Sequence, residues 1–156
     1  MGKIILVDFD GTVVPKTPNG YCEVDTGAEY VLKKLIDAGH LIVLWTCRNN
    51  SLDNPYNYIN GVPREETCLA EATRWFESRG IPLYGINSVP QQENIIGYSK
   101  KLLGDIIIDD TALGIPLVWG NVDYIAYETG EIIRGYYTHC VDWRAVEAIL
   151  KQQKLI

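Results

Sequence analysis

Ile4-Ile5-Leu6-Val7-Asp8-Phe9-Asp10-Gly11-Thr12 sets four apolar residues against two closely spaced carboxylates and a glycine turn. The apolar run reads as a buried strand, and the Asp-Gly that follows reads as its stop. In an open α/β sheet, ligands bind outside the carboxyl ends of the strands, so Asp8 at the strand end and Asp10 two residues on reach the same crevice. Two carboxylates this close repel each other unless a cation lies between them or one keeps a proton, and both arrangements suit catalysis better than stability. The plainer alternative, a strand stop with a surface Asp-Gly turn, does not account for the Asp-x-Asp and the Gly-Thr falling together behind an apolar strand.

Outward from this stretch the chain alternates apolar strands with helical spacing. Pro15 to Thr26 is polar and turn-rich and reads as a loop or small flap beside the crevice. Ala28, Val31, Leu32, Leu35 and Ile36 predict a helix over 27–38, stopped at Gly39. Leu41 to Trp45 is a second buried strand, ending in Thr46-Cys47-Arg48-Asn49. The segment 49–63 is too rich in Asn, Pro and Gly for regular structure, and its place after that strand end puts it over the crevice. A helix over 64–79 buries Leu69, Ala72, Trp75 and Phe76, and Leu83 to Asn87 is a short third strand. Ile95-Ile96 is expected to dock a short helix. Asp105-Ile106-Ile107-Ile108 is the fourth strand, followed by Asp109-Asp110-Thr111. Ile115 to Trp119 is expected as a fifth short strand. Tyr124–Tyr127 and Ile132–Tyr136 flank a turn as a hairpin, and Asp142 caps a last helix with Val146, Ile149 and Leu150 on its buried face. This succession predicts an α/β fold: a doubly wound, Rossmann-like parallel sheet with helices on both faces, plus a C-terminal hairpin and helix.

The 156 residues suit one domain, 1–156. An apolar share of 47% and a charged share of 22% are ordinary for a globular chain, and no repeat interrupts them. A net charge of -6 offers no basic surface to a nucleic-acid backbone, so an extended polynucleotide is not the expected partner. Cys22, Cys47, Cys68 and Cys140 lack metal-ligand spacing and are expected as reduced, buried small residues. His139 beside Cys140 has no third ligand in its context, and both are read as structural. No leader, anchor or long apolar segment is visible, so the expected compartment is the cytoplasm. No heptad or evident apolar patch fixes an oligomeric state.

Asp8-Phe9-Asp10-Gly11-Thr12-Val13-Val14 resembles the first motif of the haloacid dehalogenase superfamily of phosphoryl-transfer enzymes, Asp-x-Asp-Gly-Thr followed by apolar residues. The resemblance implies that Asp8 is a nucleophile forming an aspartyl-phosphate and Asp10 the general acid and base. An acid at the second position is the form found in phosphatases and phosphomutases. The resemblance further assigns the Thr46 hydroxyl and the N–H of the next residue, Cys47, to a phosphate oxygen, with Arg48 assisting. It places a phosphate-neutralising lysine before the fourth strand, Lys101 first and Lys100 second, since neighbours on a helix end point about 100° apart. The acidic pair would hold Mg²⁺ together with Asp8 and the Asp10 carbonyl, Asp110 as the direct ligand and Asp109 as a second ligand or orienter. The intervals from Asp8 to Thr46 and from Thr46 to Asp109 leave no room for a cap domain. The implied activity is Mg²⁺-dependent hydrolysis of a phosphomonoester, the implied partner a small phosphorylated substrate. Two other classes remain: a pseudo-enzyme binding a partner through the crevice, and a receiver-type phosphoacceptor. Receivers place the acidic pair on the first strand and the acceptor mid-chain, the reverse of the order here.

Overall fold

A computed structural model describes residues 2–156. Its elements in chain order are β1 (Ile4–Val7), β2 (Gly20–Tyr21), α1 (Ala28–Asp37), β3 (Leu41–Leu44), β4 (Tyr58–Ile59), β5 (Val62–Pro63), α2 (Cys68–Ser78), β6 (Leu83–Ile86), α3 (Gln92–Ile96), β7 (Ile106–Ile108), β8 (Leu117–Ala126), β9 (Ile132–Val141) and α4 (Trp143–Gln152). The fold is α/β, with a four-stranded parallel sheet ordered β6-β3-β1-β7 and helices packed on it. The chain steps outward from β1 to β3 to β6, then returns past β1 to β7. That reversal opens a crevice at the carboxyl ends of β1 and β7.

Alternation along the strands divides the core. Ile5, Val7, Ile42 and Leu44 face α1, α2 and α4, whose buried side chains include Leu32, Phe76 and Trp143. Leu6 and Val43 point the other way, against Val89 and the partly buried Leu102. Helices on both faces were expected, but the second face is covered mainly by the segment 89–103, in which α3 has five residues. Ile95 and Ile96 do not dock it; they are 71% and 49% exposed. The buried side chain there is Gln92, which donates to the Ser99 and Lys101 carbonyls and accepts from the Leu103 N–H, tying the segment together through polar bonds.

The helix ends follow local chemistry. Thr67 accepts from the Ala70 N–H, so α2 starts at Cys68 rather than at Arg64. Asp142 accepts from the Arg144 and Ala145 N–H groups and starts α4, whose buried face is Trp143, Val146 and Leu150, with Ile149 exposed. The expected fifth strand at 115–119 does not join the parallel sheet. Leu117 instead begins β8, which pairs antiparallel with β9 over nearly its whole length, and β2 from the 15–26 flap adds a third strand. The 49–63 loop contains a 3₁₀ turn at Pro55–Asn57 and the two-residue strands β4 and β5. All four cysteines are free, and Cys47 is exposed, not buried. No helix among the described residues is long and apolar enough to cross a membrane.

Candidate active site

β1 and β7 are hydrogen-bonded neighbours, with Val7 in register with Ile108. Asp8 and Asp109 each stand one residue beyond these strands, and the Asp8 N–H donates to the Ile108 carbonyl at 3.0 Å. One ligand oxygen each from Asp8, Asp109 and Asp110 lies within 4.8 Å of the others. Thr12, fully buried, joins the two strand ends: its Oγ1 donates to Asp8 Oδ2 at 3.2 Å and accepts from the Asp110 N–H at 3.0 Å. Its carbonyl accepts from Trp143 Nε1 and from Cys140 Sγ, which anchors the motif to α4 and β9. Gly11 makes the approach possible. It has φ of +84°, and a Cβ there would fall 2.6 Å from Asp110 Oδ2.

The three carboxyls sit in unlike fields. Burial, and after it the charges of Asp109 and Asp10, push the Asp8 carboxyl up to about 7 against hydrogen bonds from the Phe9 N–H and Thr12. Burial would also raise Asp110, but bonds from Lys16 and His139 outweigh it and hold Asp110 below its ordinary range. Lys16 Nζ lies 2.8 Å and His139 Nε2 2.7 Å from the same oxygen, Asp110 Oδ2. With Asp110 ionised, Nε2 carries the hydrogen. Burial alone would lower the Lys16 ammonium; the bond to Asp110 and the charges of Asp110, Asp8 and Asp109 keep it raised. Asp109 Oδ1 accepts from the Thr111 N–H and hydroxyl, which fixes its turn.

Asp10 is not one of the three clustered carboxyls. Arg48 grips it through Nε to Oδ2 at 2.8 Å and Nη2 to Oδ1 at 2.7 Å. The buried guanidinium also donates from Nη1 to Glu71 Oε2 and the Cys68 carbonyl, and it lies 4.6 Å from the Phe9 ring centroid. Burial opposes its charge, but the bonds to Asp10 raise the guanidinium above its ordinary range. Glu71 is itself shared with Arg64 Nη2 and the Tyr127 hydroxyl. Arg48 was expected to assist a phosphate, but four of its five N–H groups are held by protein acceptors, and its structural task is to hold Asp10.

Thr46 lies at the same sheet end, since the Trp45 N–H donates to the Val7 carbonyl. Its own N–H donates to Asn87 Oδ1 at 2.8 Å and its Oγ1 accepts from the Arg48 N–H. Cys47 lines a cavity of about 450 Å³ that also reaches Asp10, roofed by the flap residues 17–20 and the loop 49–56. Lys100 and Lys101 are exposed, and the lysine that the structure brings to the acidic cluster is Lys16. His139, read as structural, reaches the site as well. Neither had a local signal: both arrive through the docking of the flap on β9, where the Lys16 N–H donates to the His139 carbonyl and Thr138 Oγ1 to the Lys16 carbonyl. Thr12 could have been found, since it belongs to the Asp-x-Asp-Gly-Thr stretch, and Asn87 as a polar residue at a strand end.

No protein-family model matches the chain, and no curated protein sequence does. The solved structure of a conserved protein coded by a locus from Bacteroides thetaiotaomicron is similar to it, with 27% identity over 98% of this chain and 93% of that one and a TM-score of 0.62.

Proposed function

We propose that this chain is a capless phosphatase of the haloacid dehalogenase superfamily, hydrolysing a small phosphomonoester through an aspartyl-phosphate on Asp8. The observation that carries the reading is the meeting of Asp8, Asp109 and Asp110 at the ends of two adjacent parallel strands, with Asp10 beside them on a cavity. The strand order β6-β3-β1-β7 supports a doubly wound, Rossmann-like sheet with its site at the switch in winding direction. The four unpaired cysteines fit a reducing cytoplasm.

The donor set fits Mg²⁺: three carboxylates supply only oxygen, and a buried Asp8 raised to about 7 needs a compensating positive charge to ionise fully at neutral pH. Asp8, Asp109, Asp110 and the Asp10 carbonyl would hold the ion, whose positive charge would keep Asp8 ionised and offset the phosphoryl oxygens. Ionised Asp8 attacks phosphorus as the bond to the leaving alcohol oxygen breaks. Asp10 gives that oxygen its proton, then takes one from a water whose attack breaks the Asp8–phosphorus bond and frees phosphate. The Arg48 grip uses one lone pair on each Asp10 oxygen, and Asp10 lines the cavity. Lys16 supplies the ammonium charge for which Lys101 and Lys100 were the sequence candidates. The Thr46 hydroxyl hydrogen and the Cys47 N–H serve the phosphate oxygens. Turnover of an aryl phosphate with Mg²⁺, abolished by EDTA and restored by added Mg²⁺, is the expected result; no Mg²⁺-dependent release of phosphate rejects the reading.

A further inference from the structure

The cavity beside Asp10 has a charge inventory that constrains its occupant. Its volume of about 450 Å³ falls within the range of small-molecule sites, roughly 300–1,000 Å³, and is no polymer groove. Tyr56 and Pro18 both line it, and the Tyr56 hydroxyl donates to the Pro18 carbonyl, while the Tyr56 ring lies 6.0 Å from that of Tyr127. The flap and the loop are thereby joined beside the cavity that Asp10, the residue proposed to protonate the leaving oxygen, also lines.

Among the residues lining the cavity Arg48 is the one cation, and its charge is spent on Asp10 and Glu71. Asp53 adds a carboxylate at the exposed rim. The remaining polar lining is uncharged, chiefly the amides of Asn19, Asn49 and Asn54 and the hydroxyl of Ser51. A carboxylate or second phosphate placed here would find no free positive partner and would face the Asp53 carboxylate, which makes its desolvation uncompensated. Hydroxyls and amines, by contrast, can donate to the Asp53 carboxylate at the rim.

Resting on the hydrolytic reading above, we infer that the leaving group occupies this cavity and that the substrates are phosphomonoesters of a compact polyhydroxy or amino alcohol, selected against any second anionic group. Specificity of this kind works by rejecting the wrong charge as much as by binding the right one. Asp53 is then a specificity-determining residue.

The test compares kcat/KM for matched esters that differ in charge away from the phosphate: glucose phosphate against phosphogluconate, phosphorylated on the same carbon, and phosphoethanolamine against phosphoglycolate. An aryl phosphate serves as the reference. The uncharged or cationic member of each pair is expected to be preferred at least tenfold, and Asp53→Lys to cut that preference at least threefold through KM. Members of a pair agreeing within threefold, or the anionic ester preferred, overturn the charge selection while leaving the phosphatase reading intact. A preference that Asp53→Lys does not move overturns the part given to Asp53. Absence of Mg²⁺-dependent turnover for all of the esters, the aryl phosphate included, overturns the hydrolytic reading and this inference with it.

Discussion

Asp8 in the metal-free protein holds a proton near neutrality that the unfolded chain has already lost, because its carboxyl is moved from 3.8 to about 7. The folded state therefore binds more protons between those values, so this residue's contribution makes stability fall as pH rises through that window. Above it, the cost of an ionised, buried Asp8 is present in full. Asp8→Asn has no such titration. In EDTA its melting temperature should exceed the parent's at about pH 8, with the difference closing toward about pH 4; an Asp8→Asn variant less stable than the parent at the higher pH contradicts the field described here. Lys16 is the second residue-scale prediction. Lys16→Ala should lower kcat/KM by at least about tenfold, the scale of one lost charge-assisted contact, while Lys100→Ala and Lys101→Ala stay near the parent. An inactive Lys101→Ala beside an active Lys16→Ala would return the role to the lysine named from sequence. The residues legible in the sequence are those abutting apolar strands, namely Asp8, Asp10, Asp109 and Asp110. Lys16 and His139 were hidden because only the seating of the flap on β9 carries them to Asp110. Arg48 was visible, but nothing local shows that Glu71 on α2 and the Phe9 ring enclose its guanidinium.

Among the elements, the turn after β1 is the most constrained. Gly11 combines a left-handed φ of +84° with a Cβ position 2.6 Å from Asp110 Oδ2, so Gly11→Ala meets both a backbone penalty and a clash with a proposed ligand. The backbone term alone is about 1–2 kcal/mol. Urea denaturation should show at least that loss, and the variant should also lose Mg²⁺-dependent turnover, because the clash displaces Asp110. A variant with parental stability and activity would mean that the turn is free to relax. The parallel strands were legible because each is a short apolar run bounded by turn residues. The long hairpin was legible only around its turn. Leu117 to Trp119 reads locally like another buried strand, and its antiparallel pairing with Trp119 opposite His139 depends on a partner twenty residues on. The segment 89–103 was misjudged for a related reason: the apolar pair Ile95-Ile96 suggested a docked helix, whereas buried Gln92 holds the segment through backbone bonds.

For the whole molecule, the winding order places carboxylates from two strand ends in one crevice, and a bound cation would remove the cost of their mutual repulsion. Mg²⁺ at about a hundred times its Kd should stabilise the fold by roughly 2.7 kcal/mol. In a domain of this size that is a rise in melting temperature of several degrees. Asp110→Ala should abolish the rise along with activity; an unchanged rise places the cation elsewhere. The covalent step on Asp8 is read most directly by intact-mass and peptide mass spectrometry of protein acid-quenched during turnover of an aryl phosphate. A mass gain of one phosphoryl group is expected on the peptide that contains Asp8, more abundant in Asp10→Asn, whose second step would lack its base, and absent in Asp8→Asn. Turnover by an enzyme that never carries phosphate on Asp8, or activity retained in Asp8→Asn, contradicts it.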